Sequence, residues 1–205
     1  MNEFSISMAI VDYIPVIFFI IGVAILNRDL HNKMGRTAFS LFATGTTNVA
    51  LAGLLKATHK LLYAANICDF KTLTDMFFAT QAIGFMFAGF GLVLALIQRK
   101  DVMVATAPVV FSGTFLFVSM MVSGLGAMNV CLSILAKRLN RKKTVIFFIV
   151  SFVCSLMMGY LSSRDFTQSF MNWLAQGINI ISQGAFLIGV VSLHRAGLRD
   201  YRFKE

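Results

Sequence analysis

Long apolar stretches alternate along this chain with short polar connections, most of which are basic. A helix needs about 20 apolar residues to cross the ~30 Å hydrocarbon core of a bilayer, and several stretches reach that length. The predicted spans are residues 8–27, 37–55 with an amphipathic continuation to Tyr63, 76–97, 144–161 and 168–193, and a longer uncharged stretch covers 102–136. Because the polar stretches are short, we expect residues 1–205 to form a single integral membrane domain.

Composition supports the same interpretation. Hydrophobic residues make up 58% of the chain and charged residues 13%, with a mean hydropathy of +0.78. The charged share is about half that of a typical soluble domain, so lipid must solvate most of the surface. Helices satisfy their own backbone hydrogen bonds in lipid. The expected fold is therefore all-α, a polytopic transmembrane helical bundle. Glu3 and the absence of Lys or Arg before the first span indicate that this span is retained, not cleaved as a signal peptide.

The number of spans depends on residues 102–136. Pro108, Gly113, Gly124 and Gly126 offer positions where the helix could break. A tight hairpin here gives seven spans, with the N-terminus outside and the C-terminus in the cytoplasm. A single crossing gives six spans, with both termini in the cytoplasm. The second half of a hairpin would be short, and a single helix over 114–136 with a re-entrant or interfacial 102–111 also fits.

The basic residues favour seven spans. Lys and Arg prefer the cytoplasmic side of a membrane. The seven-span arrangement places fourteen of the 18 basic residues inside, and the six-span arrangement places only twelve there. The same distribution makes membrane lipids the expected partners of the net charge of +9 and argues against nucleic acid. We expect an integral protein of a bacterial cytoplasmic membrane.

The last span carries a regular stripe of amides. Asn172, Gln176, Asn179 and Gln183 follow steps of four, three and four residues, so they share one helical face. Amides both donate and accept hydrogen bonds. The stripe can line a polar cavity for a ligand, or it can hold neighbouring helices together.

A cationic group lies at the outer end of the second span in the seven-span arrangement. Lys56, His59 and Lys60 oppose the charge preference there, and Asn48 lies two turns before Lys56 on the same face. Asp12 is at similar depth in the first span, so we expect an ion pair from Asp12 to Lys56 or to His59. An anionic ligand, a lipid headgroup, or simple snorkelling of the lysines to water are the alternatives.

The third span carries Gln81 followed by a seam of small residues. Gly84, Ala88, Gly91 and Ala95 alternate at steps of four and three, which lets another helix approach closely. We interpret the seam as a packing surface, and such seams would also allow a homo-oligomer. Gln81 lies on the same face and is expected to point toward the protein interior.

Catalytic, metal and cofactor motifs are missing. The three cysteines and three histidines are scattered, and the chain contains no HExxH, GxSxG or phosphate-binding glycine loop. We therefore expect no catalytic or metal-ligating residue and no cofactor, and an enzyme is not favoured. The sequence favours transport or binding of a small polar or amphiphilic ligand by Asp12, Asn48, Lys56, His59, Gln81, Gln176, Asn179 and Gln183. The alternatives are a non-catalytic subunit or signalling partner, and a lipid-modifying enzyme that uses Asp12 and His59 as acid and base.

Overall fold

The computed structural model describes residues 5–97, 114–161 and 169–203, and these ranges are helical apart from short connections. The helices are α1 (Ile6–Val11), α2 (Tyr13–Leu30), α3 (Arg36–Ala64), α4 (Thr72–Ile97), α5 (Thr114–Arg138), α6 (Val145–Leu161) and α7 (Ser169–Arg195), with single 3₁₀ turns at Lys142–Thr144 and Leu198–Asp200. Within the described ranges, six segments are long and apolar enough to span a membrane: Ile6–Leu30, Arg36–Ala64, Asp75–Ile97, Leu116–Arg138, Lys142–Leu161 and Phe170–Arg195. The class predicted from sequence, an all-helical membrane protein, is therefore supported.

Two local features differ from the sequence pattern. The first span is interrupted at Asp12, between α1 and α2. Pro15 has no N–H to donate to the carbonyl of Val11, which weakens the helix at this point. Gly124 and Gly126, considered as break points, lie inside the continuous helix α5. Pro108 and Gly113 lie outside the described residues.

The spanning helices form a closed ring. Each of α2 to α6 packs against the next helix along the chain, and α7 returns to pack against α2. Short connections join α2 to α3, α3 to α4 and α5 to α6, so the helices of each of these pairs run in opposite directions. Helices α6 and α7 are antiparallel as well, because Thr144 meets Ser192 whereas Ser155, later on α6, meets the earlier Ser182.

The helices that close the ring run in the same direction. Phe18 of α2 lies against Gly184 of α7, and Asp29 contacts His194 farther along both helices. Since later residues of α2 meet later residues of α7, these two helices are parallel. The same logic, followed through the antiparallel pairs, fixes the direction of every other spanning helix that the structure describes.

Helices α4 and α5 are therefore also parallel to each other. Their contacts agree: Ser123 of α5 donates to the sulfur of Met86, and Gly89, one turn later on α4, faces Ala127. Helix α4 thus ends at one end of the bundle, and α5 begins at the opposite end. The directions of these two described helices therefore affect how many times the chain can cross the membrane.

The two ends of the bundle differ in charge. We call one the basic end: it holds the α2–α3 and α5–α6 connections and the residues after α7, with Arg28, Lys33, Arg36, Lys137, Arg138, Arg141, Lys142, Lys143, Arg195, Arg199 and Arg202. We call the other the Asp12 end. Its described basic residues are Lys56, Lys60 and Lys71, against Asp12, Asp69 and Asp75.

Three aromatic side chains meet inside the ring. The ring of Phe19 (α2) stacks on Phe186 (α7), with centroids 5.5 Å apart, and meets Phe85 (α4) edge-on at 6.1 Å. All three are buried. This group, the central aromatic stack, joins three helices of the ring.

Candidate functional site

Asp12 is buried at the break between α1 and α2, where it forms an ion pair with Lys60 of α3. The sequence predicted Lys56 or His59 as the partner of Asp12. The structure shows Lys60 instead, which is one helical turn after Lys56 and one residue after His59. Tyr13 reinforces the same contact, because its hydroxyl lies 3.0 Å from Oγ1 of Thr58. Buried charges are costly without a partner. The pair therefore ties the first span to the second at the Asp12 end.

The other two members of the cationic group have partners of their own. The ammonium of Lys56 lies 4.0 Å above the ring centroid of Phe77 on α4, a cation–π contact. Nε2 of His59 is 3.1 Å from Oδ1 of Asp69, in the connection to α4. The three residues of the predicted cationic group therefore contact three different partners, on α2, on α4 and in the loop between α3 and α4.

Asn48 and Gln81 lie along the interface between α3 and α4. Both are half-buried. The antiparallel register of these helices, fixed by Gly84 against Val49 and Lys56 against Phe77, places Gln81 at the depth of Ala52. Gln81 is therefore level with the segment between Asn48 and Lys56. These residues form the α3–α4 part of the predicted site.

The four amide side chains of the stripe on α7 face the protein and are buried to different extents. Gln176 is only 5% exposed, and its Nε2 is buried without a hydrogen-bond partner among the residues that the structure describes. Asn172, Asn179 and Gln183 are half-buried. An unpartnered buried donor is uncommon in proteins and calls for an explanation, such as a ligand or an ordered water.

Gln176 and Asp12 lie at the same depth on adjacent parallel helices. The contacts of Phe18 with Gly184 and of Asp29 with His194 set the register between α2 and α7. In that register, Asp12 is level with the turn of α7 that contains Gln176. The predicted site is therefore resolved into two parts: the α2–α7 part, in which the amide stripe of α7 is level with the Asp12–Lys60 ion pair, and the α3–α4 part.

A second polar cluster, at the basic end, was missed from the sequence. The side chain of Asp29 is fully buried; its Oδ2 lies 2.7 Å from Nδ1 of His194, and its Oδ1 lies 3.5 Å from Nε of Arg28. The carboxylate belongs to α2 and the imidazole to α7, so the cluster closes the ring. In the sequence, Asp29 is a single acidic residue in an otherwise basic connection. Its charged neighbours suggested an exposed position, so its burial could not be predicted.

Within the described residues, no three His, Cys, Asp or Glu side chains are grouped so that they could hold an ion. A groove of about 530 Å³ lies at the basic end, lined by Arg141, Leu187, Ile188, Val191, Ser192 and Arg195. None of the residues predicted to bind a ligand lines this groove.

The fold and its polar clusters define a class: a multi-pass α-helical membrane protein whose ring of helices is closed by buried polar contacts. No family model, no curated protein and no solved structure matches the chain.

Proposed function

We propose that this protein crosses the membrane seven times and binds a small polar or amphiphilic ligand at the Asp12 end, between α2 and α7. The observation that carries the ligand proposal is the buried, unpartnered Nε2 of Gln176, level with the Asp12–Lys60 ion pair. An amide N–H donates a hydrogen bond, so a ligand with a carbonyl or carboxylate oxygen would supply the missing acceptor. Asn179 and Gln183 extend the polar lining toward the membrane interior.

The proposed seventh crossing rests on helix direction. Helix α4 ends at the basic end, and α5 begins at the Asp12 end. Residues 98–113 connect them and therefore pass from one end of the bundle to the other. We infer that the chain crosses once more between Ile97 and Thr114. With the basic end in the cytoplasm, the N-terminus is then outside.

Binding is favoured over transport. The central aromatic stack of Phe19, Phe85 and Phe186 is buried between α2, α4 and α7, closer to the basic end than Asp12 and Gln176 are. A ligand held at the Asp12 end would meet this stack before reaching the basic end. The proposed site therefore suits a receptor or sensor of an outside ligand, whereas passage would require the stack to open. Assignment to a bacterial membrane stays a prediction from sequence.

Gln176→Leu tests the proposal through the sign of a stability change. An unpartnered buried donor costs about 1–3 kcal/mol, and leucine fills a similar volume without that cost. We expect the ligand-free variant to melt at a higher temperature than the wild-type protein in the same detergent. It should also lose any melting shift that the wild-type protein shows with a panel of amino acids, carboxylates, nucleosides and short acyl compounds.

Asn129→Leu is the matched control, because Asn129 is a buried amide of α5 with an unpartnered Oδ1, remote from the Asp12 end. This variant should keep the wild-type ligand responses. If Gln176→Leu instead lowers the melting temperature and no compound shifts the wild-type protein, the stripe only joins helices. The alternative of a non-catalytic membrane subunit would then be preferred.

The lipid-modifying alternative has less support. It required Asp12 and His59 as acid and base, but Asp12 is paired with Lys60, and His59 lies against Asp69. The two candidate groups therefore do not face each other across a shared site.

A further inference from the structure

The groove at the basic end combines two kinds of surface. Arg141, in the connection before α6, and Arg195, at the end of α7, stand at its rim. Leu187, Ile188 and Val191 of α7 provide its wall. A volume of about 530 Å³ falls within the usual range for small-molecule sites. Because the groove is remote from the Asp12 end, occupancy of the groove is independent of the proposed ligand site there.

The two rim arginines are free to bind an anion. Both are exposed, and neither forms an ion pair with any carboxylate in the part of the chain that the structure describes. Other arginines at this end are engaged: Arg28 contacts Asp29, and Arg138 donates to the hydroxyl of Tyr201 at 3.3 Å. A planar guanidinium can donate two hydrogen bonds to one phosphate, so two arginines make a strong phosphate-binding rim.

The wall below the rim is apolar and opens to lipid. Ile188 is 52% exposed. It precedes Arg195 by two helical turns, about 10 Å along the helix axis, so the wall runs from the membrane surface into the acyl region. Ser192 adds no free polar group, because its hydroxyl lies 2.7 Å from Oγ1 of Thr144.

We propose that this groove binds one phospholipid with an anionic headgroup. The phosphate would lie between Arg141 and Arg195, and an acyl chain would follow Leu187, Ile188 and Val191. A soluble phosphate compound would share the arginine contacts but would have no use for an apolar wall that faces lipid. The charge of the rim and the direction of the wall together favour a lipid.

The test is native mass spectrometry of the full-length protein in detergent, with equal amounts of phosphatidylglycerol and phosphatidylcholine that carry the same acyl chains. We expect the wild-type protein to retain phosphatidylglycerol preferentially. Each basic residue near a membrane surface contributes about five-fold to anionic lipid binding, so Arg141→Gln/Arg195→Gln should reduce the preference about 25-fold. Lys142→Gln/Arg199→Gln removes the same charge from the same end outside the groove and should leave most of the preference.

A second variant tests the wall without changing charge. Val191→Trp fills the groove and should release the lipid at an unchanged melting temperature. Equal losses in the Arg141/Arg195 and Lys142/Arg199 double variants would mean diffuse charge attraction and would overturn the proposal. Displacement of the lipid by glycerol phosphate, with the same dependence on Arg141 and Arg195, would also overturn it, since the site would then serve a soluble anion.

Discussion

Asp29 and His194 carry the strongest polar contact between the first and the last spanning helix. The carboxylate is fully buried and lies 2.7 Å from the imidazole, and the guanidinium of Arg28 is mostly exposed to solvent. A buried charge depends on its partner, and removal of one member of a buried pair costs far more than replacement of both. The ring of helices is closed at its basic end by this pair, by the contact of the Arg28 guanidinium with Nε2 of His194 at 3.3 Å, and by the apolar contacts around them.

We expect His194→Leu to lower the free energy of unfolding by about 3 kcal/mol, because Asp29 would stay buried and keep only its more distant contact with Arg28. The double variant Asp29→Leu/His194→Leu should recover most of that loss. Equilibrium unfolding in mixed micelles measures both. His31→Leu is the control: His31 is exposed at the same end, edge-on to Phe39, so its removal should change stability by less than about 0.5 kcal/mol. If His194→Leu and His31→Leu lowered the free energy of unfolding equally, the contact of His194 with Asp29 would contribute no more than an exposed histidine does.

The spacing of residues along the sequence does not determine which lysine pairs with Asp12. Lys56 and Lys60 are one helical turn apart, about 6 Å, and a lysine side chain can cover that distance. Sequence spacing places both on one surface but does not choose between them. The choice falls to Lys60 because Lys56 turns to Phe77 on α4. This required knowledge of which helix lies on each side of α3.

At the scale of helices, glycines set how closely neighbours approach. The small-residue seam of α4 packs against α3 inside the chain, where a Cβ on Gly84 would meet the side chain of Val49 at 2.7 Å. The predicted packing role of this seam agrees with that contact. A homo-oligomer stays a prediction, and it would need a surface other than this seam. Gly124 plays a similar part between α4 and α5.

Gly124→Ala should destabilise the protein by about 2 kcal/mol, since the added Cβ would meet the backbone of Phe85 and Met86, which cannot move aside as a side chain can. Gly177→Ala is the matched control. A Cβ at Gly177 meets no atom of the described residues within 4 Å, and alanine is the better helix former, so this variant should be neutral or slightly more stable. Thermal unfolding in one detergent compares the two. A loss at Gly177 as large as that at Gly124 would contradict close packing of α4 on α5.

At the scale of the whole molecule, helix direction determines topology. The parallel pairs α2–α7 and α4–α5 place the α3–α4 connection and the α5–α6 connection at opposite ends of the bundle. Cys68 lies exposed in the first of these, so the protein carries its own reporter for the Asp12 end.

With Cys131 and Cys154 replaced by alanine, a membrane-impermeant maleimide should label Cys68 in intact cells. In the same background with Cys68→Ser, Lys142→Cys should react only after permeabilisation. Lys142 is a better probe position than Asn140, because Asn140 has a positive φ of 55° and a cysteine there would be strained. Labelling of both positions from the same side would contradict seven crossings and restore the six-span arrangement.

The class of the protein and most of its helices follow from the sequence without any structure. Apolar length dictates the spans because lipid tolerates only backbone that satisfies its own hydrogen bonds, and a single chain is enough to count such residues. Helical period also places Gln176 and its neighbours on one face, and the basic residues already favour seven spans over six. These features depend on neighbours in sequence, so no knowledge of contacts between helices was needed.

Which helices are neighbours, and which way they run, became known only from the packed structure. The return of α7 to α2 buries Asp29 against His194 and sets Gln176 level with Asp12, and neither arrangement follows from spacing within one helix. The polar face of a helix can be recognised from its own residues, but its partners are chosen by packing between residues more than 150 positions apart. The division of the predicted site into two parts follows from that packing.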